Sequence, residues 1–357
     1  MYILGIESSC DETAAAVVAD GRDICSSVIS SQIKRHAAYG GVVPELAARE
    51  HLRNIEPIME QALSEAGVGP EDLHGVAVTY TPGLIPALLV GTSFAKGFAE
   101  RRGLPLLGVN HIVAHLYAGM MDQPDCLADE GAFPVIGLVV SGGHTLLTAV
   151  DGRGEITLLG QTLDDAAGEA FDKAAKILAL GYPGGPLIDQ LAAEGNPEAF
   201  DFPRGLVKKR GGNPSKRQRH QFNFSFSGLK TALYYQVKDR EDLSDTATKD
   251  IIASYQEAVV DTLVHKTAAA VRAYQAPTVI VSGGVACNSR LRQKLQTLRE
   301  ETDTKNIVIT APALCTDNAA MVAGYGCELY KLGQFSDLRL QAGPTFDLPP
   351  ETRLFQA

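Results

Sequence analysis

Ile3-Leu4-Gly5-Ile6-Glu7-Ser8, then Ser9-Cys10-Asp11-Glu12-Thr13, then Ala14-Ala15-Ala16-Val17-Val18-Ala19 is the stretch that decides the fold. An apolar run, a polar turn and a second apolar run read as strand, hairpin turn and strand, and Ile24 to Ser30 supplies a third strand. The phrase returns much later. Val135 to Val140 is an apolar strand, Ser141-Gly142-Gly143-His144-Thr145 a turn, Leu146 to Val150 the next strand and Ile156 to Gly160 a third. A unit repeated at the head of each half predicts a duplicated domain with a ligand cleft between the copies.

Helices and strands alternate between the repeats: a helix over Pro44 to Ala66, a strand over Gly75 to Tyr80, a helix over Ile85 to Arg101 and a strand over Pro105 to Val109. After the second repeat the pattern predicts a helix from Asp165 to Leu180 and the turn Gly181-Tyr182-Pro183-Gly184-Gly185-Pro186. Long helices between Thr246 and Tyr274 come next, followed by a strand over Thr278 to Val281, a helix from Asn288 to Arg299 and a strand over Ile307 to Thr310. A last helix from Asn318 is expected to cross back to the first lobe. This is mixed α/β order.

The 357 residues, 45% hydrophobic, suffice for two domains with real cores. The opening lacks a basic region, its apolar stretch is too short for a signal peptide, and no apolar run reaches membrane-spanning length, so a cytoplasmic protein is expected. Cys10, Cys25, Cys126, Cys287, Cys315 and Cys327 lie far apart with no C-x-x-C pair, which suits reduced thiols and offers no zinc cluster. Net charge is −10, yet residues 204–220 hold Arg204, Lys208, Lys209, Arg210, Lys216, Arg217 and Arg219 with no acid among them. A polyanionic partner would have to be met locally.

His111 and His115 lie four residues apart, a spacing that stacks two imidazoles on one helical face. They are a metal pair or an accident of spacing. The residue after the first His is Ile112, where a zinc peptidase would carry its Glu base, so a metal here would polarise a substrate rather than make hydroxide. Asp317, in Leu314-Cys315-Thr316-Asp317-Asn318, stands where a loop turns into a helix and is either the third ligand or a cap. Two His and one carboxylate suit iron(II) or zinc.

Val139-Val140-Ser141-Gly142-Gly143 and Ile280-Val281-Ser282-Gly283-Gly284 are one phrase used twice, a buried strand ending in Ser-Gly-Gly. Such glycines either turn the chain or let backbone N–H groups approach a nucleotide. No P-loop or dinucleotide fingerprint occurs. Asp172 and Asp189 flank the Gly184-Gly185 turn, as acceptors for ribose or substrate hydroxyls or simply on solvated helix faces. Asn288 is a nucleotide contact or an N-cap.

Several motifs, in order and over nearly the whole chain, resemble the bacterial TsaD family, the tRNA N6-adenosine threonylcarbamoyltransferases once labelled O-sialoglycoprotein endopeptidases. They are Ile6-Glu7-Ser8-Ser9-Cys10-Asp11-Glu12-Thr13, His111 to His115, Ser141-Gly142-Gly143-His144-Thr145 and Gly168-Glu169-Ala170-Phe171-Asp172-Lys173-Ala174. Phe224-Ser225-Phe226-Ser227-Gly228-Leu229-Lys230 and Ser282-Gly283-Gly284-Val285-Ala286-Cys287-Asn288 complete the set. The resemblance implies the actin/Hsp70/sugar-kinase fold, two ribonuclease-H-like α/β lobes around a nucleotide cleft. Residues 1–112 with 318–357 would form the first lobe and 113–317 the second, with a basic insert at 204–220.

The implied activity moves threonylcarbamoyl from threonylcarbamoyl-AMP to N6 of adenosine 37 in tRNAs reading codons that begin with A. His111, His115 and Asp317 would hold one divalent metal, iron(II) or zinc. Val139, Val140, Ser141, Gly142, Gly143, Asp172, Gly185, Asp189 and Asn288 would contact the substrate, with Asp11 and Glu12 near the reacting carbonyl. The implied partners are tRNA, the inactive paralogue TsaB and the ATPase TsaE. The basic insert departs from many relatives, and its role is open between tRNA contact and surface loop. A non-catalytic nucleotide-binding scaffold should lack the two histidines and Asp317, and a kinase or ATPase of the same fold has no need of them.

Overall fold

The computed structural model describes all residues except 128–129, 208–219, 239–243, 347, 350–351 and 356–357. Lys208, Lys209, Arg210, Lys216, Arg217 and Arg219 of the basic insert therefore lie outside the described residues.

The chain forms two compact units, one of Met1–Asp125, Gly152–Ile156 and Ala313–Ala357, the other of Cys126–Asp151 and Thr157–Pro312. The first is built on strands β1 (Tyr2–Glu7), β2 (Glu12–Ala19), β3 (Asp23–Ser31), β4 (Leu73–Thr81) and β5 (Leu106–Asn110), in the order β3-β2-β1-β4-β5. β1 runs antiparallel to β2 and parallel to β4. The second holds β6 (Val135–Val140), β7 (Thr145–Val150), β8 (Ile156–Gln161), β9 (Thr278–Ser282) and β10 (Asn306–Ile309), ordered β10-β9-β6-β7-β8. Here too the central strand, β6, is antiparallel to the next in sequence and parallel to the one beyond. The orders coincide when β1 is matched to β6, so the repeat read from residues 3–19 and 135–150 is a repeat of topology. This is the duplicated α/β architecture of the actin/Hsp70/sugar-kinase fold.

In the first unit, α1 (Pro44–Ala66) and α2 (Ile85–Arg102) cover one sheet face, and Leu4, Ile6, Val17, Ile55, Met59, Val76, Val78 and Ala95 form the core between. Pro44 at N1 and Gly67 in the left-handed conformation at the C-cap bound α1 where the sequence places its ends. α3 (His111–Asp122) follows β5 directly and packs on the chain's last helix, which also lies on β1, β2 and β4. That contact is close: a Cβ on Gly5 would meet the backbone of Ala319 and Ala323.

The second unit carries α4 (Ala167–Ile177), α5 (Gly184–Ala192), α6 (Ser227–Val237), α7 (Asp245–Tyr274) and α8 (Ser289–Glu301). α4 is shorter than the expected 165–180: Asp165 stands before it, its carboxylate taken by Lys173 at 2.6 Å, and Ala179 leaves it at φ +54°. α7 is a single helix of 30 residues rather than several, because no Gly or Pro interrupts it. Within it Lys266, 3% exposed, donates to the carbonyls of Leu206 (2.9 Å), His220 (3.2 Å) and Gln221 (2.9 Å). Arg204 reaches Asp261 at 2.8 Å. α9 (Ala319–Lys331) closes the first unit. Among the described residues no helix is long and apolar enough to cross a membrane, and Cys10, Cys25, Cys287, Cys315 and Cys327 form no disulfide.

Candidate metal centre and its surroundings

Asn110, the last residue of β5, caps α3 by accepting from the N–H groups of Ile112 and Val113 at 2.9 and 3.3 Å. The cap fixes where the helix starts, so His111 occupies its first position and His115 lies one turn on. Both rings are buried, edge to face with centroids 4.6 Å apart. Asp317 comes to the same point from the far end of the chain, its Oδ1 3.2 Å from His115 Nε2 and 3.5 Å from His111 Nε2. One donor atom from each of the three residues falls within 4.8 Å of the others, a grouping that suits a cation. The cap role left open for Asp317 belongs to Asn318: its side chain accepts from Met321 N at 2.9 Å while its amide donates to the carbonyls of Leu314 and Thr316.

Glu7 was not a candidate from the sequence and is the fourth member of the site. It ends β1 fully buried, with Oε1 accepting from Ser9 N (2.6 Å) and Oε2 from Thr79 Oγ1 (2.6 Å). His111 Nδ1 lies 3.1 Å from Oε2 and donates to it, which leaves Nε2 turned toward Asp317. A carboxylate that holds the outer nitrogen of a histidine is the usual support of a metal-binding imidazole. His115 Nδ1 is buried with no hydrogen-bond partner among the described residues.

The charges explain how this group survives burial. Burial disfavours an imidazolium at His111, but Asp317 and Glu7 outweigh it and raise the ring to about 10. Burial likewise opposes ionisation of Asp317 and Glu7; His111 overcomes it and holds both below the usual carboxylate range. His115, desolvated and beside a charged His111, is lowered and stays neutral. In the metal-free protein a proton on His111 thus supplies the positive charge that the two carboxylates need.

The turn carrying Asp11 and Glu12 is tied to α1 by His51, whose Nε2–H donates to the carbonyl of Cys10 (3.0 Å) while Nδ1 meets Thr13 Oγ1 (2.8 Å). Glu12 accepts from Ser31 Oγ at 3.0 Å. Burial, then the charges of Asp11 and Asp317, push Glu12 up to about 9, and the same three causes raise Cys10.

In the second unit Val139 and Val140 are fully buried in β6, so they can offer a ligand only backbone. Ser141 closes the following turn, its N–H donating to the carbonyl of His144 (2.8 Å) and its Oγ accepting from His144 N (3.1 Å). Gly142 and Gly143 are exposed, and a Cβ on Gly142, Gly143, Gly185 or Gly284 would meet no protein atom within 4 Å. Gly283 differs: its φ is +95°, and a side chain would strike the Val140 backbone. Asp172 accepts from Gly184 N (2.7 Å), which places Gly185 beside it at the start of α5. Asp189 accepts from Ser289 N and Oγ (3.0 and 2.8 Å), while Asn288 caps α8 through Leu291 N (2.9 Å) and donates to Gln256 (2.8 Å). The carboxylates and amide named from the sequence thus also organise the two helix starts that flank the turns.

A family model described as TsaD, tRNA N6-adenosine threonylcarbamoyltransferase, matches residues 23–324. The chain is 50% identical over 348 residues to a curated tRNA N6-adenosine threonylcarbamoyltransferase of Geobacter sp. (strain M21), spanning 98% of this chain and 97% of that one. It is 48% identical over 350 residues to the protein of that name from Thermosipho africanus, covering 98% and 100%. Two solved structures share the fold at low identity. T. kodakarensis HypF is 14% identical with a TM-score of 0.57, covering 93% of this chain and 48% of its own, and component A of the Acidaminococcus fermentans (R)-2-hydroxyglutaryl-CoA dehydratase is 16% identical with a TM-score of 0.51, covering 92% and 98%.

Proposed function

Since the chain belongs to the TsaD family of tRNA N6-adenosine threonylcarbamoyltransferases, we propose that its buried His111–His115–Asp317 group serves transfer of threonylcarbamoyl from threonylcarbamoyl-AMP to N6 of adenosine 37 in tRNAs reading codons that begin with A. The observation that carries this reading is the meeting of His111 and His115 with Asp317, which lies 202 residues beyond His115 in sequence, with Glu7 orienting the first. A divalent ion held there, iron(II) in our reading with zinc as the alternative, supplies a Lewis acid for the carbamoyl carbonyl.

The protein's own groups do the rest. Glu7 keeps the proton of the neutral His111 on Nδ1 and so presents Nε2. Adenine N6 attacks the carbamoyl carbon, the bond from that carbon to the phosphate oxygen breaks, AMP leaves, and N6 gives up a proton. Asp11 is the nearer choice for that proton, because Glu12, at about 9, already carries one at neutral pH in the metal-free protein. Adenine N6 is a poor nucleophile, so positioning supplies much of the rate. We assign the adenylate to backbone N–H groups of the turn after β6, residues 139–143, with Asp172, Gly185, Asp189 and Asn288. The reading includes pairing with TsaB and action with TsaE.

Two other readings stand against it. A scaffold without catalysis gives no reason to bury two histidines against two carboxylates, and a kinase of this fold has no need of the pair. Mass spectrometry of nucleosides from unmodified tRNA tests the proposal, after incubation with this protein, TsaB, TsaE, the adenylate-forming enzyme, threonine, bicarbonate and ATP. N6-threonylcarbamoyladenosine should appear with the wild type and not with His115→Ala. Its absence with the wild type, in a mixture that works with another family member, would overturn the assignment.

A further inference from the structure

Residues 202–238 contain nine Lys and Arg and no Asp or Glu; against a total of −10, these nine leave −19 on the rest of the chain. Arg204 is committed to Asp261, so the part of this run that stands in view as a surface is its far end, helix α6. One side of α6 is anchored. Leu229 and Leu233 are fully buried with Phe226, and Asp164 binds the first turn by accepting from Ser225 Oγ (2.6 Å), Ser227 Oγ (2.8 Å), Phe226 N (2.7 Å) and Ser227 N (3.2 Å). The charge of Asp164 is thereby turned inward on the helix start.

The other side carries Lys230, Thr231, Tyr234, Tyr235 and Lys238, all exposed. Tyr234 is 53% and Tyr235 63% accessible, large values for aromatic rings. The rings meet edge to face with centroids 5.7 Å apart, and Lys238 Nζ lies 4.8 Å from the centre of Tyr235. The contacts hold both rings in place while leaving much of their surface uncovered. Aromatic faces held among cations are what a polyanion with unstacked bases binds: bases stack on the rings and phosphates meet the ammonium groups. A duplex hides its base faces, and an apolar protein partner has no use for exposed lysines set beside the rings.

We propose that the exposed face of α6 binds an unpaired loop of the tRNA substrate, with Tyr234 and Tyr235 stacking on bases and Lys230 and Lys238 contacting phosphates. The inference rests on the tRNA reading above and adds the surface that recognises it.

The test measures binding of the full-length protein to a tRNA stem-loop and to an RNA duplex of equal charge. Changing Tyr234→Ser and Tyr235→Ser together should weaken stem-loop binding by about 5- to 150-fold for each stacked base lost, and leave duplex binding unaltered. The double Tyr→Phe protein should stay within about twofold of wild type, since the rings remain. Lys230→Ser with Lys238→Ser should lower the salt slope by about 1.4 if both meet phosphate. All six side-chain changes are at exposed positions, and circular dichroism with bound-metal analysis confirms that each variant is folded. Stem-loop affinity equal to wild type in the double serine variant overturns the proposal; if that variant instead loses a partner protein, α6 is a protein-docking face. A wild-type protein that binds the stem-loop but forms no modified nucleoside would sink the proposed function and leave the α6 assignment standing, whereas one that binds no RNA would overturn the α6 assignment.

Discussion

His111 sits between two carboxylates, Glu7 on Nδ1 and Asp317 toward Nε2, and both its chemistry and its vulnerability follow from that position. Glu7→Gln keeps the shape but not the charge, and should cost about 10- to 100-fold in metal affinity, read by competition with a chelator. His115→Ala and Asp317→Ala each remove a donor outright and should abolish stoichiometric metal in elemental analysis. The proton on His111 adds a pH dependence. A metal must displace it, so with the ring raised to about 10, affinity should climb by about tenfold per pH unit up to that value. Titrations at pH 6 and 8 that give equal affinity would mean that His111 is not a ligand. Of this site, spacing made the histidine pair a candidate and left Asp317 open between ligand and cap, while the family resemblance named the three together, and the structure brings them together. Glu7 was not: a carboxylate at the end of an apolar strand looks like any strand end, and its partner lies 104 residues away.

At the scale of elements, the two Ser-Gly-Gly turns separate into glycines that protein packing requires and glycines that it does not. Gly143→Val and Gly284→Val place a Cβ that meets nothing within 4 Å beyond the neighbouring residues, so each should keep its melting temperature and lose adenylate binding in calorimetry. Gly283→Val meets the Val140 backbone at φ +95°, and should instead cost ~2 kcal/mol or more in stability. Unchanged nucleotide affinity in the first two would return their turns to a purely structural role. The ends of α1 could be read from Pro44 and Gly67 because capping is local chemistry. The cap role of Asn288 was likewise one of its two readings from sequence, whereas the partners of Asp172 and Asp189 and the bond from Asn288 to Gln256 could not be read, because Gly184 N, Ser289 and Gln256 are brought to them by packing between helices.

For the whole molecule, the order β3-β2-β1-β4-β5 repeated as β8-β7-β6-β9-β10 shows why two short sequence phrases sufficed to identify a duplication. Each phrase is the central strand of its sheet and the hairpin beside it. The sequence pattern did not show how completely the first unit depends on the end of the chain. Ala319 to Leu329 are buried without a break, and the segment that carries them also delivers Asp317. A protein ending at residue 312 should therefore neither bind metal nor keep the first sheet folded, and a soluble, metal-binding fragment of that length would contradict the arrangement. Lys266 has a consequence of another kind. Its ammonium spends all three hydrogens on carbonyls of Leu206, His220 and Gln221, which stand on either side of residues 208–219. The two ends are held together by chemistry outside the segment, so the length of what joins them is a weak constraint, each doubling of a connection costing only about 0.6 kcal/mol. For a protein engineer this is a splice point: an epitope, a fluorophore tag or a small domain placed between 208 and 219 should leave metal content and melting temperature as they are, so long as Lys266 keeps the doorposts together.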